Sequence, residues 1–136
     1  MAQILIVEDD RLLVESLCDM VSRAGFQVAE AVDSGEAALK FVEQSVPDVA
    51  ILDINLAGQI DGVETAERLA EFNIPIVYLT GTTDDHTLSR VVRTEASGFV
   101  GKPFEFAQLR MAIEIALQCR VREQSAAIQH QTLSQI

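Results

Sequence analysis

Tryptophan is absent from this chain of 136 residues, tyrosine occurs once, and aromatic residues make up 5% of it. Such a composition leaves little surface on which a flavin could stack. Basic residues are also scarce, with 10 Lys and Arg against 21 Asp and Glu and a formal net charge of -11. A nucleic acid or an anionic membrane needs a basic surface, so direct contact with either is excluded, as are acidic substrates unless a metal intervenes. The two cysteines, Cys18 and Cys119, form no CxxC motif and lie in helical patterns, which reads as reduced thiols. No apolar run approaches the roughly 18 residues that span a bilayer. The first residues, Met1-Ala2-Gln3, run straight into a strand pattern without a basic leader region. The expectation is a soluble, cytoplasmic protein.

What is present is apolar and regularly spaced. Hydrophobic residues make up 49% of the chain, enough for one domain with a single core. Ile4 to Val7 is a short continuous apolar run and predicts a central strand. Leu13, Leu17, Met20, Val21 and Ala24 then recur at helical spacing, with Gly25 as a stop. Gln27 to Glu30 predicts a weaker strand. In Asp33-Ser34-Gly35-Glu36 an acid precedes a Glu three residues on, predicting a capped helix through Ala37, Ala38, Phe41 and Val42 that ends before Pro47. Val49 onward is a third strand, and Leu56 to Ile60 a loop. Asp61-Gly62-Val63-Glu64 repeats the capping pattern before a helix through Ala66, Leu69 and Phe72. Pro75 to Thr80 predicts a strand, Asp84 to Glu95 a helix, Phe99 to Gly101 a short strand, and Glu105 onward a last helix. Strand and helix alternate throughout, which predicts an α/β fold with a parallel sheet and helices on both faces.

The stretch Val49-Ala50-Ile51-Leu52-Asp53-Ile54-Asn55 organises the rest. Four apolar residues followed by one carboxylate read as a buried strand carrying an acid to the carboxyl edge of the sheet, where open α/β sheets bind their ligands. Glu8-Asp9-Asp10 follows the first strand directly, so at least one acid faces the same crevice, and Asp9 is the first choice. Asp10 alternatively caps the next helix. Carboxylates crowded together raise one another's pKa without a compensating charge. Mg²⁺ supplies such a charge, preferring hard oxygen ligands from carboxylates and a backbone carbonyl such as that of Asn55. Thr80 ends the fourth strand, and Gly81 after it lets backbone approach closely. Lys102 ends the fifth as a point charge suited to a phosphoryl oxygen, and Lys102-Pro103 is a candidate cis peptide. Each of these residues alone is more often structural. Together, each at the carboxyl end of a predicted strand, they point to Asp53 as a nucleophile that accepts a phosphoryl group.

These residues resemble those of the receiver domain of two-component response regulators, the chemotaxis-regulator-like family. The likeness rests on Ile4-Leu5-Ile6-Val7-Glu8-Asp9-Asp10, Ile51-Leu52-Asp53, Leu79-Thr80-Gly81 and Ser97-Gly98-Phe99-Val100-Gly101-Lys102-Pro103-Phe104, and it covers residues 3 to about 118. It implies a flavodoxin-like (βα)5 sandwich with strand order 2-1-3-4-5. It implies that Asp53 is the phosphoacceptor, that Glu8 and Asp9 form the acidic pocket for Mg²⁺ with Asp53, and that Asn55 gives its carbonyl to the metal. Thr80 would be the switch hydroxyl, Lys102 the phosphoryl-binding ammonium and Phe99 the switch aromatic, which in a receiver also serves as a core residue. The side chains of Asn55 and Thr82 are candidates for tuning the lifetime of the acyl phosphate. A histidine kinase or phosphotransfer protein would be the donor, and the output a downstream protein or fused domain reached through the fourth helix, fifth strand and fifth helix. Such a domain is a signalling element rather than an enzyme. Two departures from the family stand out: the loop from Leu56 to Gly62 is one residue longer than in the plainest receivers, and Gly81 replaces the commoner alanine.

Two rivals come from other classes. A haloacid-dehalogenase-like phosphatase also pairs an aspartyl nucleophile with Mg²⁺, but it wants a second Asp where Asn55 stands. A flavodoxin-like FMN module shares the topology but not the aromatic poverty. Residues 1–120 are expected to form the receiver and residues 121–136 a helical extension or linker. In that tail Val121, Ile128, Leu133 and Ile136 fall at roughly heptad intervals. They read either as a frayed end of the last helix or as a signalling linker or homodimer-forming helix.

Overall fold

A computed structural model describes residues 1–81, 85–93 and 96–119. Five strands, β1 (Gln3–Val7), β2 (Gln27–Val32), β3 (Val49–Asp53), β4 (Ile76–Thr80) and β5 (Gly98–Gly101), form one sheet in the order β2-β1-β3-β4-β5. Every pairing is parallel. The connecting helices are α1 (Arg11–Arg23), α2 (Gly35–Val42), α3 (Gly62–Ala70) and α4 (Asp85–Arg93), and a last helix, α5, is described over residues 106–119. The expected (βα)5 sandwich and strand order are the ones observed.

Helices cover both faces, which is why the inner strands carry unbroken apolar runs rather than alternating, with polar residues only at their ends. All five residues of β3 and of β4 are buried. On one face Leu5, Val7, Leu52, Ile54, Ile76 and Tyr78 pack against Ala38 and Val42 of α2, Val63, Ala66 and Leu69 of α3 and Val91 of α4. On the other, Ile4, Ile6, Ile51, Val77, Leu79 and Val100 pack against Leu17 and Val21 of α1 and Leu109, Ile113 and Ala116 of α5. Each large side chain so buried contributes roughly 1.5–3 kcal/mol of transfer free energy. β2, at an edge, has no fully buried position.

Side chains at the helix starts fix where the chain re-enters each helix. Asp10 caps α1 by accepting from Leu12 and Leu13 N–H, as expected. Asp61 caps α3 by accepting from Glu64 N–H. The cap of α2 corrects the sequence reading: it is Ser34, whose hydroxyl accepts from Ala37 N–H, not Asp33. Glu36 is therefore one turn position too early to complete a capping box, and its carboxylate points elsewhere. Gly25, at φ +90°, terminates the path out of α1, and Asn73, at φ 60°, turns the chain from α3 towards β4. Asp84, Glu95 and the tail 121–136 lie outside the described residues. No helix among the described residues is long and apolar enough to cross a membrane.

Candidate functional site

Because all five strands run the same way, the residues that follow them collect along one edge. Glu8 and Asp9 arrive after β1, Asp53 closes β3, Thr80 closes β4, and Lys102 follows β5. The ends are held in place by backbone bonds. Glu8 N–H donates to the Val32 carbonyl at 3.0 Å, Ile54 N–H to that of Leu79 at 3.1 Å, and Lys102 N–H to that of Thr80 at 2.7 Å. The Lys102-Pro103 peptide is cis.

The side chains converge. Glu8, Asp9 and Asp53 each offer a carboxylate oxygen, and these three atoms lie within 4.8 Å of one another. Lys102 Nζ stands 3.3 Å from Asp53 Oδ2 and 3.6 Å from Glu8 Oε2. Asp53 Oδ1 accepts from Asn55 N–H at 3.0 Å, which stops the carboxylate from turning freely. Glu8 is 2% exposed and Asp53 5%, whereas Asp9 reaches in from the rim and accepts from Ala57 N–H at 3.4 Å. The sequence pointed first to Asp9 as the acid that faces the crevice. The structure brings Glu8 in as well and buries it deeper.

Three carboxylates against one ammonium leave this edge short of positive charge. Burial first, and the neighbouring Asp53 second, push the Glu8 carboxyl up to about 7, against the opposing pull of Lys102. Glu8 Oε2 is buried and has no hydrogen-bond partner among the described residues. Lys102 Nζ faces that oxygen from 3.6 Å, beyond hydrogen-bond reach, so its burial still costs free energy that a second cation would offset. The donors are all hard oxygens, with no histidine or thiolate among them, so the group suits a hard divalent cation such as Mg²⁺ rather than a softer transition metal.

The other expected residues fall in differing places. Thr80 is 4% exposed at the end of β4, in register with Gly101. Asn55 is exposed two residues beyond Asp53. Phe99 is not a core aromatic here: it lies on the outer face of β5, 48% exposed, because only Val100 of that strand is buried. Thr82 lies outside the described residues. Two contacts went unnoticed in the sequence. Arg90 of α4 donates to both oxygens of Asp61, at 2.6 and 3.2 Å, tying α4 to the start of α3. Glu36 Oε1 accepts from Gln59 N–H at 2.7 Å and from Ile60 N–H at 3.0 Å, tying α2 to the loop after β3. Charge-pattern reasoning along the chain finds neither, since both partners lie more than 20 residues away.

Comparison with known proteins agrees with the geometry. The sequence model of the response regulator receiver domain matches residues 4–114. The transcriptional regulatory protein PdtaR of Mycobacterium tuberculosis is 31% identical over 91% of this chain and 60% of its own length. The transcriptional regulatory protein AfsQ1 of Streptomyces coelicolor is 34% identical over 90% of this chain and 54% of its own. The chain thus spans little more than half the length of these relatives. Among solved structures, the signal receiver domain of a modulated diguanylate cyclase from Desulfovibrio desulfuricans superposes with a TM-score of 0.87 at 37% identity, covering 90% of this chain and 98% of that one. The N-terminal domain of a response regulator/sensory box/GGDEF protein from Carboxydothermus hydrogenoformans gives 0.81 at 30% identity, covering 89% and 98%. With its strand order, its converging acids and the lysine beside them, the chain belongs to the family of response regulator receiver domains of two-component systems.

Proposed function

We propose that Asp53 is the phosphoacceptor of this receiver domain and takes its phosphoryl group from the phosphohistidine of a partner kinase or phosphotransfer protein. The observation that carries this reading is the buried Asp53 carboxylate with Lys102 Nζ at 3.3 Å and two further acids beside it. An Asp53 oxygen forms the new P–O bond while the donor's P–N bond breaks, its electron pair leaving with the imidazole. The product is an acyl phosphate. Asn55 N–H fixes the rotation of the nucleophile, and Lys102 stands where it can follow negative charge onto the transferring oxygens. Glu8, Asp9, Asp53 and the backbone carbonyl of Asn55 would hold Mg²⁺, which when bound supplies further positive charge to those oxygens. The Thr80 hydroxyl then donates to a phosphoryl oxygen, and Phe99, exposed on the neighbouring strand, moves inward behind it. Such a switch biases a pre-existing equilibrium between two packings. Output passes to a downstream protein or a fused domain by way of α4, β5 and α5, where Phe99, Met111 and Ile115 are exposed.

The test is incubation of the protein with acetyl phosphate, with and without Mg²⁺, followed by intact mass. One added phosphoryl group is expected, only with Mg²⁺, and none in Asp53→Ala. A protein that gains no mass, or an Asp53→Ala variant that still gains it, refutes the assignment.

A further inference from the structure

We infer that Glu36 is a positioning residue for the metal-binding edge, acting through the loop between β3 and α3. The inference rests on the proposed Mg²⁺ site at Glu8, Asp9, Asp53 and the Asn55 carbonyl. Asn55 opens that loop, and whatever fixes the loop fixes where its carbonyl sits. At the near end, Asp53 Oδ1 holds Asn55 N–H. At the far end, Ile60 is 8% exposed and packs where α2 and α3 come closest, so tightly that a Cβ on Gly35 would overlap Thr65 Oγ1 and crowd Ile60. Between these ends Ala57 N–H reaches Asp9 at a long 3.4 Å, whereas Glu36 Oε1 takes two backbone donors at 2.7 and 3.0 Å. Hydrogen bonds to an ionised acceptor are the shorter and stronger kind.

The division of labour between the two acids is the point. Asp9 is both a candidate metal ligand and an anchor for the loop, and a carboxylate drawn onto a cation weakens its hold on an amide. Glu36 stands on α2, outside the group of acids that converge on the metal site, so its grip persists whether or not a cation is bound. Gly58 makes the contact available. It takes φ +123°, a conformation other residues rarely adopt, and a Cβ there would lie 2.9 Å from Glu36 Oε2. Its own backbone N–H first, and the Ile60 and Gln59 amides after it, hold the Glu36 carboxyl below the usual carboxylate range.

The experiment titrates Mg²⁺ alone into the full chain, without phosphodonor, following amide chemical shifts and the hydrogen exchange of the Gln59 and Ile60 amides. Wild type, Glu36→Ala, Glu36→Gln and Glu43→Ala are compared. Glu36→Ala should bind Mg²⁺ on the order of tenfold more weakly, as loss of a group that orients a metal ligand does, and should exchange faster at both amides even without metal. Its phosphorylation should recover at saturating Mg²⁺. Glu36→Gln keeps an oxygen in place but not the charge that strengthens its bonds, and should fall between wild type and Glu36→Ala. Glu43→Ala removes the same charge from the far end of α2 and should change nothing. Unaltered affinity in Glu36→Ala overturns the inference, and so does an equal loss in Glu43→Ala, which would make the net charge near α2 the cause. Gly58→Ala displaces the Glu36 carboxylate from the other side, and normal affinity in that variant overturns it too. A wild type that binds no Mg²⁺ instead sinks the proposed metal site and takes the inference with it.

Discussion

Replacing Asp53 with Asn should make the metal-free protein more stable above neutral pH, although it removes the proposed nucleophile. The reason lies in Glu8, whose carboxyl is carried from 4.5 to about 7 in the fold. Between those values the folded protein holds a proton that the unfolded chain has released. Stability therefore falls as pH rises through this window and levels off above it. A displacement of that size corresponds to about 3 kcal/mol. Burial is its largest cause and remains in the variant, whereas the upward push of the neighbouring Asp53 carboxylate disappears. Asparagine also keeps an oxygen to accept from Asn55 N–H. The relief expected in Asp53→Asn is thus about 1 kcal/mol at pH 8, or about 3 °C in Tm for a chain of this size. The measurement is urea denaturation followed by circular dichroism, in chelator, from pH 4.5 to 8.5. The two proteins should coincide at the acid end and diverge as the pH rises. Adding Mg²⁺ at about ten times its Kd should then stabilise wild type by about 1.4 kcal/mol and the variant by much less. An Asp53→Asn protein less stable than wild type at pH 8, or with the same pH slope, refutes the account of crowded acids.

Three further outcomes follow from other contacts. Lys102→Ala should slow phosphorylation by acetyl phosphate by about a hundredfold or more while leaving Mg²⁺ binding measurable, because it removes a charge that is useful mainly as the phosphoryl oxygens develop theirs; rapid-quench kinetics would show this. Gly62→Ala should cost about 2 kcal/mol or more in urea denaturation, since its Cβ would overlap the Asp53 carbonyl oxygen and press on Ile54 backbone. Arg90→Ala should cost about 1 kcal/mol or less, because the pair it breaks is more than a third exposed. Arg90 holds the Asp61 carboxyl below 3.8, so its contribution is present above that pH and is lost as the acid protonates below it. The difference between Arg90→Ala and wild type should therefore be constant near neutrality and vanish in strong acid.

The inner strands were legible because burial on both faces writes itself as an unbroken apolar run, seen at Ile4 to Val7 and at Val49 to Leu52. β2 was read as ending at Glu30, two residues short, since an edge strand carries no such run and its register with β1 continues to Val32. The acids after β1, Asp53 and Lys102 could be assembled from sequence because parallel order delivers every strand end to one edge. Glu36 could not. Its spacing from Asp33 suggested a local cap, but its partners are two backbone amides of a distant loop, and backbone donors leave no mark in residue identity. Phe99 was misplaced for a related reason: an aromatic in a short apolar strand looks internal until the neighbouring helices are known to leave that side open.

β3 has paired neighbours on both sides, helices above and below, and no exposed position from its first residue to its closing carboxylate. A chemical mark written there would sit on a strand held on every side. The mark cannot be transmitted by bending its own support, so the message has to leave through the connecting segments that overhang the sheet. Variation in those segments can retune what the domain says and to whom, while variation in the strand itself can only silence it.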